Sequence, residues 1–124
     1  MKVLVIGDAC EDVYVYGHVN RLAPEAPVPV FLRVDKKFLT KEYLGQYDAI
    51  VISDYNKGFL TEEDIERICY NHPLSFMDTK KLLGRWCKEC TWIKINEEEY
   101  VKTEAKIARL SHIFDEKLIV TLSE

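Results

Sequence analysis

Glycine is sparse in this sequence, and its five copies, Gly7, Gly17, Gly45, Gly58 and Gly84, all stand alone. None belongs to a G-x-G-x-x-G or G-x-x-x-x-G-K pattern, so a glycine-rich phosphate cradle is not expected. Long apolar runs are missing as well. Val3-Leu4-Val5-Ile6 and Ala49-Ile50-Val51-Ile52-Ser53 fall far short of the roughly 20 residues that span a bilayer, and no membrane span is expected. The amino terminus meets Asp8 after one short β-branched run, without the longer apolar region and small-residue cleavage site of a secretory signal. A cytoplasmic location is the expectation. There is no excess of basic residues: 17 Lys and Arg face 21 Asp and Glu, a net charge of −4, which argues against a broad grip on nucleic acid or anionic lipid.

Cysteine is also scarce. Cys10, Cys69, Cys87 and Cys90 are too few for a disulfide framework in a chain of this size, and free thiols are expected. Cys87-Lys88-Glu89-Cys90 has metal or redox spacing but no second cysteine pair, and only His72 and His112 remain as added ligands, so no metal site is expected. Ser53, Ser75, Ser111 and Ser123 lie in no nucleophile-elbow context. His18, His72 and His112 have no carboxylate or cysteine at metal spacing beside them and read as surface or loop residues.

What is present is a globular composition: 124 residues, 48% apolar and 31% charged, at a length that predicts one compact domain over residues 1–124. Lys2 to Ile6 is a continuous β-branched and Leu run ending at Gly7-Asp8, predicted as a strand buried on both faces. Asp48 to Ser53 repeats the pattern. Thr61 then offers an N-cap hydroxyl to an acidic first turn, predicting a helix from about Glu62 to Tyr70 with Ile65, Ile68 and Cys69 on its apolar stripe. Asn71-His72-Pro73 stops it before a strand over Leu74 to Met77.

Further along, Lys80 to Trp86 reads as a short helix or turn, Thr91 to Ile95 as a strand, and Asn96 to about Leu110 as a helix. Asn96 and Glu99 form a capping box at its start, and Tyr100, Ile107 and Leu110 lie on its apolar face. Leu118 to Leu122 is the last strand. Alternating strands and helices predict an α/β, Rossmann-like domain with a mostly parallel sheet. Residues 11–47 break the rhythm: Val13-Tyr14-Val15-Tyr16 and Val28-Pro29-Val30-Phe31-Leu32 look extended and proline-marked, predicting a small β excursion, a shortened lid.

Several strands end in polar residues: Gly7-Asp8 with Asp12, Asp54-Tyr55-Asn56-Lys57-Gly58, Asp78-Thr79-Lys80-Lys81, and Asn96 with Glu99. Ligands of open parallel sheets bind beyond the carboxyl ends of the strands, so these residues are expected to share one rim. Each has an ordinary alternative, since Asp, Asn and Gly end strands and cap helices in many folds.

The same residues resemble a known family. Gly7-Asp8-Ala9-Cys10-Glu11-Asp12-Val13-Tyr14-Val15-Tyr16-Gly17 and Asn20-Arg21-Leu22-Ala23-Pro24-Glu25-Ala26-Pro27-Val28-Pro29-Val30 closely resemble the opening of the bacterial heptose-7-phosphate kinases of the ribokinase-like PfkB family. Ser53-Asp54-Tyr55-Asn56-Lys57-Gly58, Met77-Asp78-Thr79-Lys80, Asn96 to Glu99 and Val120-Thr121-Leu122-Ser123-Glu124 resemble later segments of the family, in the same order.

The resemblance implies roles. Asp12 would bind sugar hydroxyls, with Asp8, Asp54 and Lys57 on the substrate side. Asp78, Lys80, Asn96 and Glu99 would serve the nucleotide side, Asn96 and Glu99 near Mg²⁺ and phosphate. The capping box explains that last pair equally well, and solvated loop lysines are the ordinary reading of Lys57 and Lys80. Residues 13–34 would form the sugar lid, and the 13–32 segment a homodimer contact. The family's long insertion with its Gly-Gly-Ala-Ala-Asn segment is reduced here to a short link between Leu32 and Asp48, and its G-A-G-D segment, with the base and the anion hole, would follow Glu124. The expectation is a degenerate heptose-kinase-like protein without catalysis by itself, binding a sugar phosphate or a protein partner. The alternative is an ATP- and Mg²⁺-dependent sugar kinase completed by a partner chain.

Overall fold

The computed structural model describes residues 1–8, 36, 39–107, 114 and 116–122. Five strands, β1 (Val3–Gly7), β2 (Ala49–Asp54), β3 (Ser75–Thr79), β4 (Trp92–Asn96) and β5 (Leu118–Thr121), form one sheet in the order β1-β2-β3-β4-β5. Every pairing is parallel, in registers such as Ile6 with Ile52, Ile52 with Met77 and Met77 with Ile93. The fold is α/β, as alternating strand and helix segments require. Among the described residues its helices include α1 (Lys41–Leu44), α2 (Glu62–Asn71) and α3 (Glu97–Ile107), and a 3₁₀ turn spans Arg85–Cys87. No helix among the described residues is long and apolar enough to cross a membrane.

The local signals explain these elements. Thr61 caps α2 by accepting from the Asp64 N–H, while the Asp64 carboxylate accepts from the Thr61 N–H. Asn96 and Glu99 make the predicted reciprocal box at α3, at 2.8 and 2.9 Å. Ile65, Ile68 and Cys69 are the buried positions of α2, at the spacing of one helix face.

Consecutive strand order has a geometric consequence: right-handed crossovers between neighbouring parallel strands all pass over the same side of the sheet. Accordingly the core lies on one face, where Ile6, Ile50, Ile52, Met77, Ile93 and Ile95 pack with Leu44, Ile65, Ile68, Leu83 and Phe114. Among the described residues, side chains of the opposite face reach solvent. Val5 is 65% exposed, and Val3, Phe76, Trp92 and Ile119 are each 39–47% exposed. The reading of the first run as a strand buried on both faces is therefore corrected: β1 alternates, because the sequence run does not reveal strand order.

Three further expectations change. Of the 11–47 excursion only Lys36 and residues 39–47 are described, and there the chain forms a helical turn, α1, because the Thr40 hydroxyl accepts from Tyr43 N–H ahead of helix-compatible residues. The rest of the shortened lid and the 13–32 segment lie outside the described residues. His72 sits in a loop as expected but is buried, with its ring nitrogens 2.9 Å from the Leu74 carbonyl and 2.8 Å from the Tyr47 carbonyl. Finally, Cys69 and Cys90 form a disulfide with a Cα–Cα separation of 4.9 Å, which corrects the expectation of free thiols; their 21-residue separation hid the pairing. Cys87 is a buried free thiol.

Candidate functional site

The carboxyl ends of the parallel strands form a polar rim. At β1, Asp8 accepts from the Tyr55 N–H at 2.7 Å and its own N–H donates to the Ser53 carbonyl at 3.1 Å, which ties the ends of β1 and β2 together. The approach is close enough that a Cβ on Gly7 would lie 2.0 Å from the Ser53 carbonyl oxygen, so only glycine fits there. The turn after β2 carries two residues with positive φ, Asn56 at 58° and Gly58 at 96°, and Lys57 between them is exposed. Asp12 lies outside the described residues.

Asp54 is placed differently from its neighbours. Only 2% exposed, its carboxylate accepts from Thr79 Oγ1 at 2.6 Å, from the Asn56 N–H at 3.1 Å and from Lys81 Nζ at 2.9 Å on both oxygens. It anchors the rim from below. Lys81 was not singled out from the sequence; adjacent lysines after a strand carry no signal of which one turns inward.

Lys80 turns the other way, toward α3. Its ammonium lies 2.7 Å from Glu99 Oε1, while Glu99 Oε2 accepts from the Asn96 N–H. Lys80, Asn96 and Glu99 thereby meet at a concavity of about 340 Å³, whose wall also includes Leu82, Glu98 and Lys102. Burial alone would raise the Glu99 carboxyl, but the hydrogen bonds from Lys80 and the Asn96 N–H hold it below its ordinary range. The same hydrogen bond from Glu99 raises the Lys80 ammonium. At neutral pH both are charged. Lys102 pairs with Glu98 one turn away at 2.6 Å, an exposed i,i+4 pair.

Asp78 stands apart. Its carboxylate accepts at 2.8 Å from Nζ of Lys94, its partner on the neighbouring strand β4, and both side chains are partly exposed. By the alternation of β3 it projects onto the open sheet face, on the same side as Phe76. The rim therefore holds two separate groups: Asp8 with the Tyr55–Gly58 turn, and Lys80 with Asn96 and Glu99.

Chemically, the Lys80 concavity offers the ammonium groups of Lys80 and Lys102 and the Asn96 amide beside two carboxylates, with Lys81, whose ammonium is held by Asp54, also in its wall, a mixed surface suited to an anionic group that exchanges into existing ion pairs. Among the described residues no group of three His, Cys, Asp or Glu side chains is arranged to hold a metal ion.

Comparison with known proteins gives short, strong similarities. The chain is 56% identical over 36 residues to the bifunctional protein HldE of Helicobacter pylori strain P12, a match covering 29% of this chain and 8% of that protein. It is 60% identical over 35 residues to HldE of Actinobacillus succinogenes, covering 28% and 7%, and 61% identical over 29 residues to HldE of Acidiphilium cryptum, covering 23% and 6%. The matches thus span less than a tenth of the length of these relatives. No family model matches the chain, and no solved structure does. These short stretches alone point to a relationship with HldE proteins.

Proposed function

We propose that this chain is a heptose-kinase-like α/β module of the ribokinase-like PfkB type that binds a sugar phosphate at its strand-end rim and does not transfer phosphate by itself. The observation that carries this reading is the convergence of Lys80, Asn96 and Glu99 on one concavity at the carboxyl end of a parallel sheet, where ligands of such sheets bind. The phosphate would exchange into the Lys80–Glu99 pair, with Asn96 and Lys102 beside it; the sugar would extend toward Asp8, Lys57 and Asp12. Asp54 supports this surface from beneath through Lys81. Asp78, beside Lys94, would lie on the nucleotide side.

The local charges support the proposed lack of transfer. Phosphoryl transfer rests on positioning and on stabilising developing charge, and the rim carboxylates near Lys80 are already neutralised by lysines. A cytoplasmic setting and self-association through the 13–32 segment belong to the same proposal.

Calorimetric titration with D-glycero-D-manno-heptose 7-phosphate tests it. Heat should appear with the sugar phosphate and not with the unphosphorylated heptose, and Lys80→Ala should weaken binding about tenfold through loss of one charge-assisted contact. No heat from either sugar overturns the reading. ADP formation from ATP and Mg²⁺ in the presence of the sugar phosphate, lost in Asp12→Ala, would replace it with the kinase alternative.

A further inference from the structure

Three buried cysteines lie where α2 meets the turn before β4. Cys69 on α2 is bonded to Cys90, and the free Cys87 is three residues before Cys90. The Cys90 N–H donates to the Cys87 carbonyl at 3.1 Å, closing a four-residue turn. Such a turn holds its outer Cα atoms within about 7 Å, and disulfides bridge Cα separations of roughly 4.4–6.8 Å. Cys90 is bonded to Cys69 at a Cα separation of 4.9 Å, and the hydrogen-bonded turn keeps Cys87 within about 7 Å of it, near the disulfide range.

The two pairings differ mechanically. Cys69–Cys90 clasps α2 to the segment entering β4, whereas Cys87–Cys90 would close one turn on itself and leave α2 with no covalent tie to that segment. The groove between these elements has walls from Glu66, Arg67 and Tyr70 on one side and Lys88 and Glu89 on the other, the immediate neighbours of Cys69 and Cys90. The clasp joins the two walls.

We propose that Cys69, Cys87 and Cys90 form a closed thiol–disulfide exchange set, in which Cys90 passes from Cys69 to Cys87 and so releases α2 from the turn before β4. In this step the Cys87 thiolate attacks Cys90 Sγ. A Cys87–Cys90 bond forms as the Cys69–Cys90 bond breaks, and the electron pair leaves on Cys69 Sγ. Cys69 takes up a proton in place of the one Cys87 lost, so one disulfide and one thiol remain and no outside oxidant or reductant is consumed. The Cys87 thiol, whose Sγ donates to the Gly84 carbonyl at 3.0 Å, is pushed up to about 11 by burial. Lys117 lowers it and Glu62 raises it. Near neutral pH the Cys69–Cys90 clasp therefore persists, and exchange speeds up as pH rises.

Tryptic mapping separates the two pairings, because cleavage after Arg67, Lys80, Arg85, Lys88 and Lys94 puts Cys69, Cys87 and Cys90 in different peptides, 68–80, 86–88 and 89–94. The full chain carrying Cys10→Ser is purified without reductant, held near neutral pH or at about pH 10, quenched with acid, alkylated with N-ethylmaleimide and digested. Peptide 68–80 should be linked to 89–94 at the outset. The 86–88 to 89–94 link should replace it at alkaline pH, at a rate rising about tenfold per pH unit. In Cys87→Ser the first link should persist unchanged. A chain that starts with no 68–80 to 89–94 link, or in which 86–88 is always recovered singly alkylated, overturns the proposal.

Discussion

Asp54 and Lys81 form an ion pair beneath the rim, with the lysine Nζ 2.9 Å from both carboxylate oxygens and the carboxylate fully buried. The pair joins the end of β2 to the segment after β3, and Thr79 Oγ1 completes it by donating to Asp54 and accepting from the Lys81 N–H. Removing one partner leaves a charge without its counterpart in a low-dielectric setting. Asp54→Ala is expected to cost about 3 kcal/mol in urea unfolding. Asp54→Asn with Lys81→Met should recover much of that loss, whereas equal costs for the single and double variants would contradict the coupling.

The Lys80–Glu99 pair predicts how stability varies with pH. The folded chain holds Glu99 below its ordinary 4.5, so this contribution is complete above that pH and is lost as pH falls through the lower folded value. Lys80 is held above its ordinary 10.5, so its share is present below that pH and fades as pH climbs past the raised value. Solvent reaches the Lys80 side chain, which makes its effect the smaller. In Glu99→Gln both limbs of the stability profile should flatten; an unchanged acid limb in thermal melts across pH would refute the assignment.

Reduction of Cys69–Cys90 opens a loop with a 21-residue separation. Chain entropy puts the loss at about 3 kcal/mol. Chemical unfolding with and without dithiothreitol measures it, and Cys90→Ser, which removes both pairings open to Cys90, should remove the difference between the two conditions.

A methyl group at position 7 has no room beside the Ser53 carbonyl. Gly7→Ala should therefore pry β1 from β2 at the rim and cost about 3 kcal/mol, the upper part of the overpacking range. The same substitution at Gly84, where only the Trp86 ring stands near, should cost less because a side chain moves aside more readily than backbone.

Much of this architecture was legible from short-range patterns. The β-branched runs located the five strands within a residue or two, and Thr61 and Asn96 marked the starts of α2 and α3 through capping boxes that operate over four consecutive residues. The strand-end placement was legible as well: Asp54 and Asn96 end their strands, and Asp8 and Lys80 directly follow theirs. Which way each side chain turns was not. Asp54 points into the core, Asp78 sits on the open face and Lys80 faces α3, distinctions that depend on partners 16 to 27 residues away.

Capping, turn chemistry and strand identity were decided by the chain's own local chemistry, because each of those interactions closes within one or two turns of backbone. Strand order, the one-sided core, the exposure of Val5 and Trp92, and the union of Cys69 with Cys90 arose only from packing. They are contacts between segments far apart in the chain, whose free energy depends on which surfaces meet, and no local pattern records that choice.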